Sequence, residues 1–179
     1  MENLLLGDKV GITIKPKFDI KKFFKEREES ITIRGEIIET AIFIEGKVNF
    51  LIASYFSDES VHSEFLEDFL MDRSCHYNLR INVLGKILKK INYDSKYIRD
   101  IIERLHKMNG IRNLVAHSEP YLDSNKNPVS GYTIFDTKKV KGVEVKNLKE
   151  EERKMNDYFE EVYIALAKIK EKMVAVKND

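Results

Sequence analysis

An arginine, an asparagine and a histidine stand at positions 112, 113 and 117 of the stretch MNGIRNLVAHSEP, residues 108–120. A guanidinium keeps its charge at neutral pH, and burying it without a partner is very costly. Arg112 therefore needs a carboxylate, a carbonyl or an opening in which an anion can sit. On a helical wheel at about 100° per residue, Ile98, Ile101, Ile102, Leu105 and Met108 cluster on one side, and Arg112 falls inside that cluster. Asn113 and His117, four apart, stack on its flank. The trio forms a polar patch that continues an apolar seam, chemistry suited to gripping an anion beside an imidazole. The ordinary alternative is a snorkelling arginine and a histidine near a helix C-terminus, neither of which needs a function. Gly110 after Asn109 can also bend the helix or end it early.

The trio must be positioned by the helix that carries it. Asp94 or Ser95 opens that helix, which runs from Lys96 to about His117 and is ended by Pro120. Upstream, Ile37, Ala41, Ile44, Val48, Leu51, Ile52 and Tyr55 repeat at three- and four-residue spacing, predicting a long helix from Gly35 to about Phe56. Phe43 and Phe50 lie on nearly the opposite side. Such a helix must be covered on two faces, in the middle of a bundle or against another chain. FDIKKFFKEREES reads as a separate short amphipathic helix, and GITIKPK as an extended segment before it. Ser60 to about Met71 predicts a shorter helix capped by Ser60. After a loop at DRSCH, the stretch YNLRINVLGKILKKI places Ile81, Leu84, Ile87, Leu88 and Ile91 on one side.

Beyond Pro120 the pattern changes. DSNKNPVSG is turn-forming, and YTIFDT and VEVKNL alternate as a small β-hairpin would, within residues 130–147. From Leu148 to about Val176 the chain is helical again, with Glu150, Glu151 and Glu152 suited to the positive end of the helix dipole. The expected fold is all-α: an antiparallel bundle of five or six helices with an inserted hairpin. A chain of 179 residues fits one domain, 1–179, with residues 1–30 as an N-terminal extension.

The segment IRNLVAH resembles the R-x4-6-H motif of the HEPN superfamily, with Arg112, a polar Asn113 directly after it, and His117. The likeness extends over about residues 35–175: a long apolar helix upstream, a basic helix just before and a closing helix downstream. The RN…AH form is similar to that of mannitol-repressor-like members. This resemblance implies a helical homodimer in which two Arg–His patches face each other across a cleft. It also implies either a metal-independent endoribonuclease, often a toxin or antiphage factor, or a catalytically silent regulatory or protein-interaction module. RNA would be the substrate, and a neutralising antitoxin or regulatory protein a further partner.

Metal-free RNA cleavage must deprotonate the ribose 2′-hydroxyl, stabilise the extra phosphate charge and protonate the leaving 5′-oxygen. Histidine, which ordinarily titrates near pH 6.5, suits the first or last step. A guanidinium fork matches the phosphorane oxygens. On this reading His117 is the base or acid, Arg112 the phosphate clamp and Asn113 a positioner. Two subunits would supply two imidazoles, and the product would be a 2′,3′-cyclic phosphate. No cofactor or metal is expected. His106 and His117 lie roughly 16 Å apart along the helix, too far to share an ion, and Cys75-His76 lacks spaced companions.

Arg80, Lys86, Lys89 and Lys90 form a basic run that would hold an RNA backbone if it lies beside the cleft, and is otherwise a solvated face. Lys138, Lys139, Lys141 and Lys146 of the hairpin are a second place to meet a partner. Glu36, Glu39 and Glu45 read as solvated or paired carboxylates, any of which could balance Arg112. Against a broad nucleic-acid surface stands the charge balance: Lys plus Arg is 31, Asp plus Glu is 30, and the net charge is +1. One cysteine, no basic start to the N-terminus and no long apolar run point to a cytoplasmic protein without membrane contact.

Overall fold

Residues 20–72, 74–120, 133–136 and 144–178 are described by the computed structural model of the chain. Helix α1 spans Ile20–Phe56. Its buried stripe is Ile33, Ile37, Ala41, Ile44, Val48, Leu51 and Ile52, the three- and four-residue spacing of one helical face. The expected break before Gly35 does not occur. Gly35 faces open space, and the roughly 1 kcal/mol that glycine costs in a helix is offset by Ile33 and Ile37 packing on either side of it. The extension drawn at residues 1–30 therefore ends inside α1, while GITIKPK lies outside the described residues.

After α1 the chain does not form the single helix expected over 60–71. A 3-10 turn at Glu59–Val61 leads into one α-turn, α2, at His62–Glu64, and then into a π-helical segment, Phe65–Leu70. Ser60 lies inside the 3-10 turn rather than capping a helix. The Met71 N–H reaches the Leu66 carbonyl at 3.0 Å, five residues back. The wider turn brings Leu70 into the core at 2% exposure, while Phe65 and Phe69 stack with centroids 5.2 Å apart.

Helix α3 is Tyr77–Lys90 and α4 is Ser95–His117. The Asp94 side chain caps α4 by accepting the Lys96 N–H at 2.8 Å. Three short strands follow: β1 at Glu119–Pro120, β2 at Thr133–Asp136 and β3 at Glu144–Asn147. They form an antiparallel sheet in the order β1-β2-β3, with Thr133 opposite Asn147. The expected hairpin is the β2–β3 pair, and β1 adds a strand that the sequence did not announce. Turn residues 123–131 and Lys138, Lys139 and Lys141 lie outside the described residues. Helix α5, Leu148–Asn178, starts where Asn147 Oδ1 accepts the N–H groups of Lys149 and Glu150 at 3.0 and 3.3 Å.

The molecule is an all-α helical bundle, and its contacts fix the helix directions. Lys172 donates to the Asn92 carbonyl at 2.8 Å and Arg104 pairs with Glu161 at 2.5 Å, so α4 and α5 are antiparallel. Asn78 lies beside Asn109, and Gly85 beside Ile102, so α3 and α4 are antiparallel as well. Phe43 meets Phe159 and Tyr163, and Lys170 sits over Phe50, so α1 and α5 run the same way. Those aromatic contacts partly cover the second face of α1, whose first face meets α3 and α4. Ile37, Ile44, Ile52, Ile81, Leu84, Leu88, Leu105, Met108, Leu148 and Met155 fill the shared core.

One full charge enters that core. Arg80, 7% exposed, is ion-paired to Glu45 of α1 and donates to Asn49 Oδ1 at 2.9 Å, with its guanidinium over the Tyr77 ring. Burial, and then the Glu45 charge, raises the Tyr77 pKa far above the ordinary phenol value. Breaking a buried pair costs roughly 3–5 kcal/mol. Glu45→Gln is expected at the low end of that range, because Glu45 keeps about a quarter of its side chain exposed. Glu45→Met with Arg80→Met together should lose much less, which urea titration of the two variants will measure.

A like-charge contact has the opposite sign. Burial, followed by a hydrogen bond to Glu36 and its charge, raises the Glu152 pKa above the ordinary carboxyl value. The folded state then binds this proton more tightly than the unfolded chain, so stability falls as pH rises from the unfolded toward the folded value. Glu152→Gln should raise the urea midpoint at pH 7. The gain should vanish below about pH 4, under the ordinary glutamate pKa. A gain independent of pH would refute the assignment.

Candidate functional site

The site builds outward from the C-terminal end of α4, where helix carbonyls run out of partners. Arg34 of α1 meets this need. Its Nη1 donates to the Val115 carbonyl at 2.7 Å, and both terminal nitrogens reach the Ser118 carbonyl at 3.4 Å. A cation there also suits the negative end of the α4 dipole. Burial lowers the Arg34 pKa from the ordinary guanidinium value. Sequence reasoning missed Arg34 because it placed this residue before the supposed start of the helix.

On the last turns of α4, Arg112 is half-buried on the seam, as the wheel has it. Its Nη1 donates to Asn113 Oδ1 at 3.0 Å. The Asn113 amide donates in turn to Asn109 Oδ1 at 3.4 Å, and the Asn109 amide donates to Asn78 Oδ1 of α3 at 2.9 Å. His106 Nδ1 lies 3.3 Å from the same oxygen. An amide oxygen has no hydrogen to offer, so Nδ1 is the donor, and in the neutral imidazole Nε2 is the acceptor. Among the described residues no carboxylate pairs with Arg112. Glu45, a possible counter-charge for it, is taken by Arg80 instead.

Asn113 and the exposed His117 line a cleft of about 490 Å³ between α4 and the start of α5. Lys107, Lys146, Glu151, Lys154 and Tyr158 complete its polar wall. Lys154 reaches Glu150 at 2.8 Å and Glu151 at 3.1 Å, and Lys107 reaches Glu103 at 2.6 Å. The hydrogen bonds to these carboxylates raise both lysine pKa values, so both remain cations at neutral pH. Arg112 does not line this cleft; it reaches it through Asn113. The arrangement can bind an anion and present an imidazole to it. The sequence held no clear sign of Lys107, Lys154 or Tyr158, because α5 meets α4 only through the antiparallel return of the chain.

The expected basic run divides. Arg80 is sealed inside by Glu45 and Asn49, a correction to its placement among RNA-contacting residues: its helical position faces α1, not solvent. Lys86 and Lys89 are exposed and line a second cleft, between α3 and α4, and Lys90 is exposed at the end of α3. Asn78 and Asn109 were not singled out from the sequence. The Asn109–Asn113 spacing of four was the available signal, but the α3 partner was not. Among the described residues no cluster of three or more His, Cys, Asp or Glu could hold a metal, and no helix is long and apolar enough to cross a membrane. Comparison of the chain with known protein families, curated proteins and solved structures finds no match.

Arg34→Met should cost about 1.5–3 kcal/mol, the usual worth of hydrogen bonds to a charged group. Amide hydrogen exchange should accelerate first in residues 113–118. Uniform acceleration across α4 would show that Arg34 does not secure this end.

Proposed function

We propose that the chain is a metal-independent endoribonuclease of HEPN type, cleaving RNA by attack of the ribose 2′-hydroxyl. The observation that carries this reading is the shared cleft of Asn113 and His117, walled by Lys107, Lys146 and Lys154. His117 transfers the proton, Lys146 and Lys154 hold the phosphate, and Asn113, oriented by Arg112, positions the substrate. Arg112 would complete the clamp on the developing negative charge once two subunits bring their clefts together as a homodimer. Growth inhibition by such an activity would make the protein a toxin or antiphage factor, held in check by a neutralising partner.

A second reading, a non-catalytic regulatory or interaction module, is favoured by one observation. The Arg112 guanidinium is spent on Asn113 rather than aimed into the cleft. Purified protein incubated with unstructured and structured RNAs in excess chelator separates the two. The endoribonuclease should leave 2′,3′-cyclic phosphate ends. His117→Ala should lose about 10²-fold or more, the scale of general acid–base catalysis, with its circular dichroism unchanged. Equal cleavage by His117→Ala overturns the role of this residue. No cleavage of any RNA by a folded dimer favours the module.

A further inference from the structure

The second cleft, about 920 Å³ between α3 and α4, is lined by Lys86, Lys89, Arg99 and His106, with apolar surface from Ile98, Ile102 and the exposed Leu79. Gly85 lets the two helices pack closely: a Cβ added there would meet the Ile102 side chain at 3.4 Å. The helices therefore converge at the bottom and leave the long cationic side chains at the rim. Lys86, Lys89 and Arg99 are exposed, and among the described residues none of the three makes an ion pair. Glu103, the one acid lining the cleft, is ion-paired at 2.6 Å to Lys107, one turn further along the same face of α4. Hydrogen bonding to Lys107 and its charge, with smaller contributions from the Arg104 and Arg99 charges, hold the Glu103 pKa below the ordinary carboxylate value.

Three cations outside any ion pair, set along exposed apolar surface, match a ligand with repeated phosphates. Arg99 and His106 are seven residues apart, about 10 Å along α4, which suits a run of backbone rather than one phosphate. Single strands bind in grooves whose cations track the backbone. His106, fixed with Nδ1 toward Asn78, leaves Nε2 as an acceptor for a base or ribose donor at one end of the track.

We propose that the α3–α4 cleft is a binding track for single-stranded RNA, with Lys86, Lys89 and Arg99 holding its phosphates and His106 at its end. The asparagine ladder from Asn78 to Asn113 joins this track to the His117 cleft. The inference rests on the endoribonuclease reading for the identity of the ligand, and its test is binding, not cleavage.

The test uses the full chain carrying His117→Ala, so that RNA stays intact, and a fluorescein-labelled unstructured RNA read by anisotropy. Adding Lys86→Gln, Lys89→Gln and Arg99→Gln together should weaken binding at least tenfold. The slope of log K against log salt should fall by about 2, the value for three phosphate contacts on a single strand. Lys47→Gln, Lys168→Gln and Lys170→Gln together remove the same charge elsewhere and should change affinity less than twofold. An equal loss in both triples, an unchanged slope in the cleft triple, or no RNA binding at all overturns the track. Cleavage by the otherwise native chain with binding unaffected by the cleft triple would sink the track and leave the nuclease standing. Cleft-dependent binding without cleavage would do the reverse.

Discussion

The pairing of Arg80 with Glu45 and Asn49 is the constraint on which the rest of the arrangement depends. A guanidinium cannot be neutralised inside a core, so α3 can dock on α1 only where these two acceptors meet it. That docking fixes the first turn of α3 and with it Asn78, two residues earlier. Asn78 is the anchor of the amide ladder, and the ladder sets the orientation of Asn113 at the cleft. A charge buried between α1 and α3 thus determines how a side chain on α4 is presented. Arg34 makes the same kind of contribution at the other end of the contact, where it holds the last carbonyls of α4.

Much of the helical framework was legible because burial in a helix writes a regular period into the sequence. The stripe Ile37 to Ile52 follows from it, and a polar capping signal at Asp94 or Ser95 marked the start of α4, where Asp94 is the residue that caps. Local signals failed where tertiary packing outweighed them. Gly35 read as a boundary, yet α1 continues through it because its neighbours are buried. The 59–70 segment carried a helical pattern, but its backbone passes from a 3-10 turn through one α-turn to a π-helical turn that ends on the buried Leu70.

The site was legible only in part. Spacing alone put Asn113 and His117 on one flank, and they line one cleft. Which arginine needed a buried carboxylate was not readable, because Arg80 and Arg112 each lie beside an apolar stripe. Only the path of α1 decides that Glu45 faces the former. Partners from distant helices, such as Asn78, Lys154 and Tyr158, carry no local mark at all. Their roles arise from the antiparallel packing of α4 against α3 and α5.

The ladder has a chemical consequence of its own. Carboxamides neither accept nor release protons near neutrality, so a row of them conducts orientation but insulates against proton transfer. Each amide is held with its oxygen toward one neighbour and its nitrogen toward the next, from the Arg112 end to Asn78. Turning over Asn113 or Asn109 would set oxygen against oxygen at one joint and nitrogen against nitrogen at the other. The ladder therefore carries no proton from His106, at its Asn78 end, toward Asn113 and the cleft that Asn113 lines.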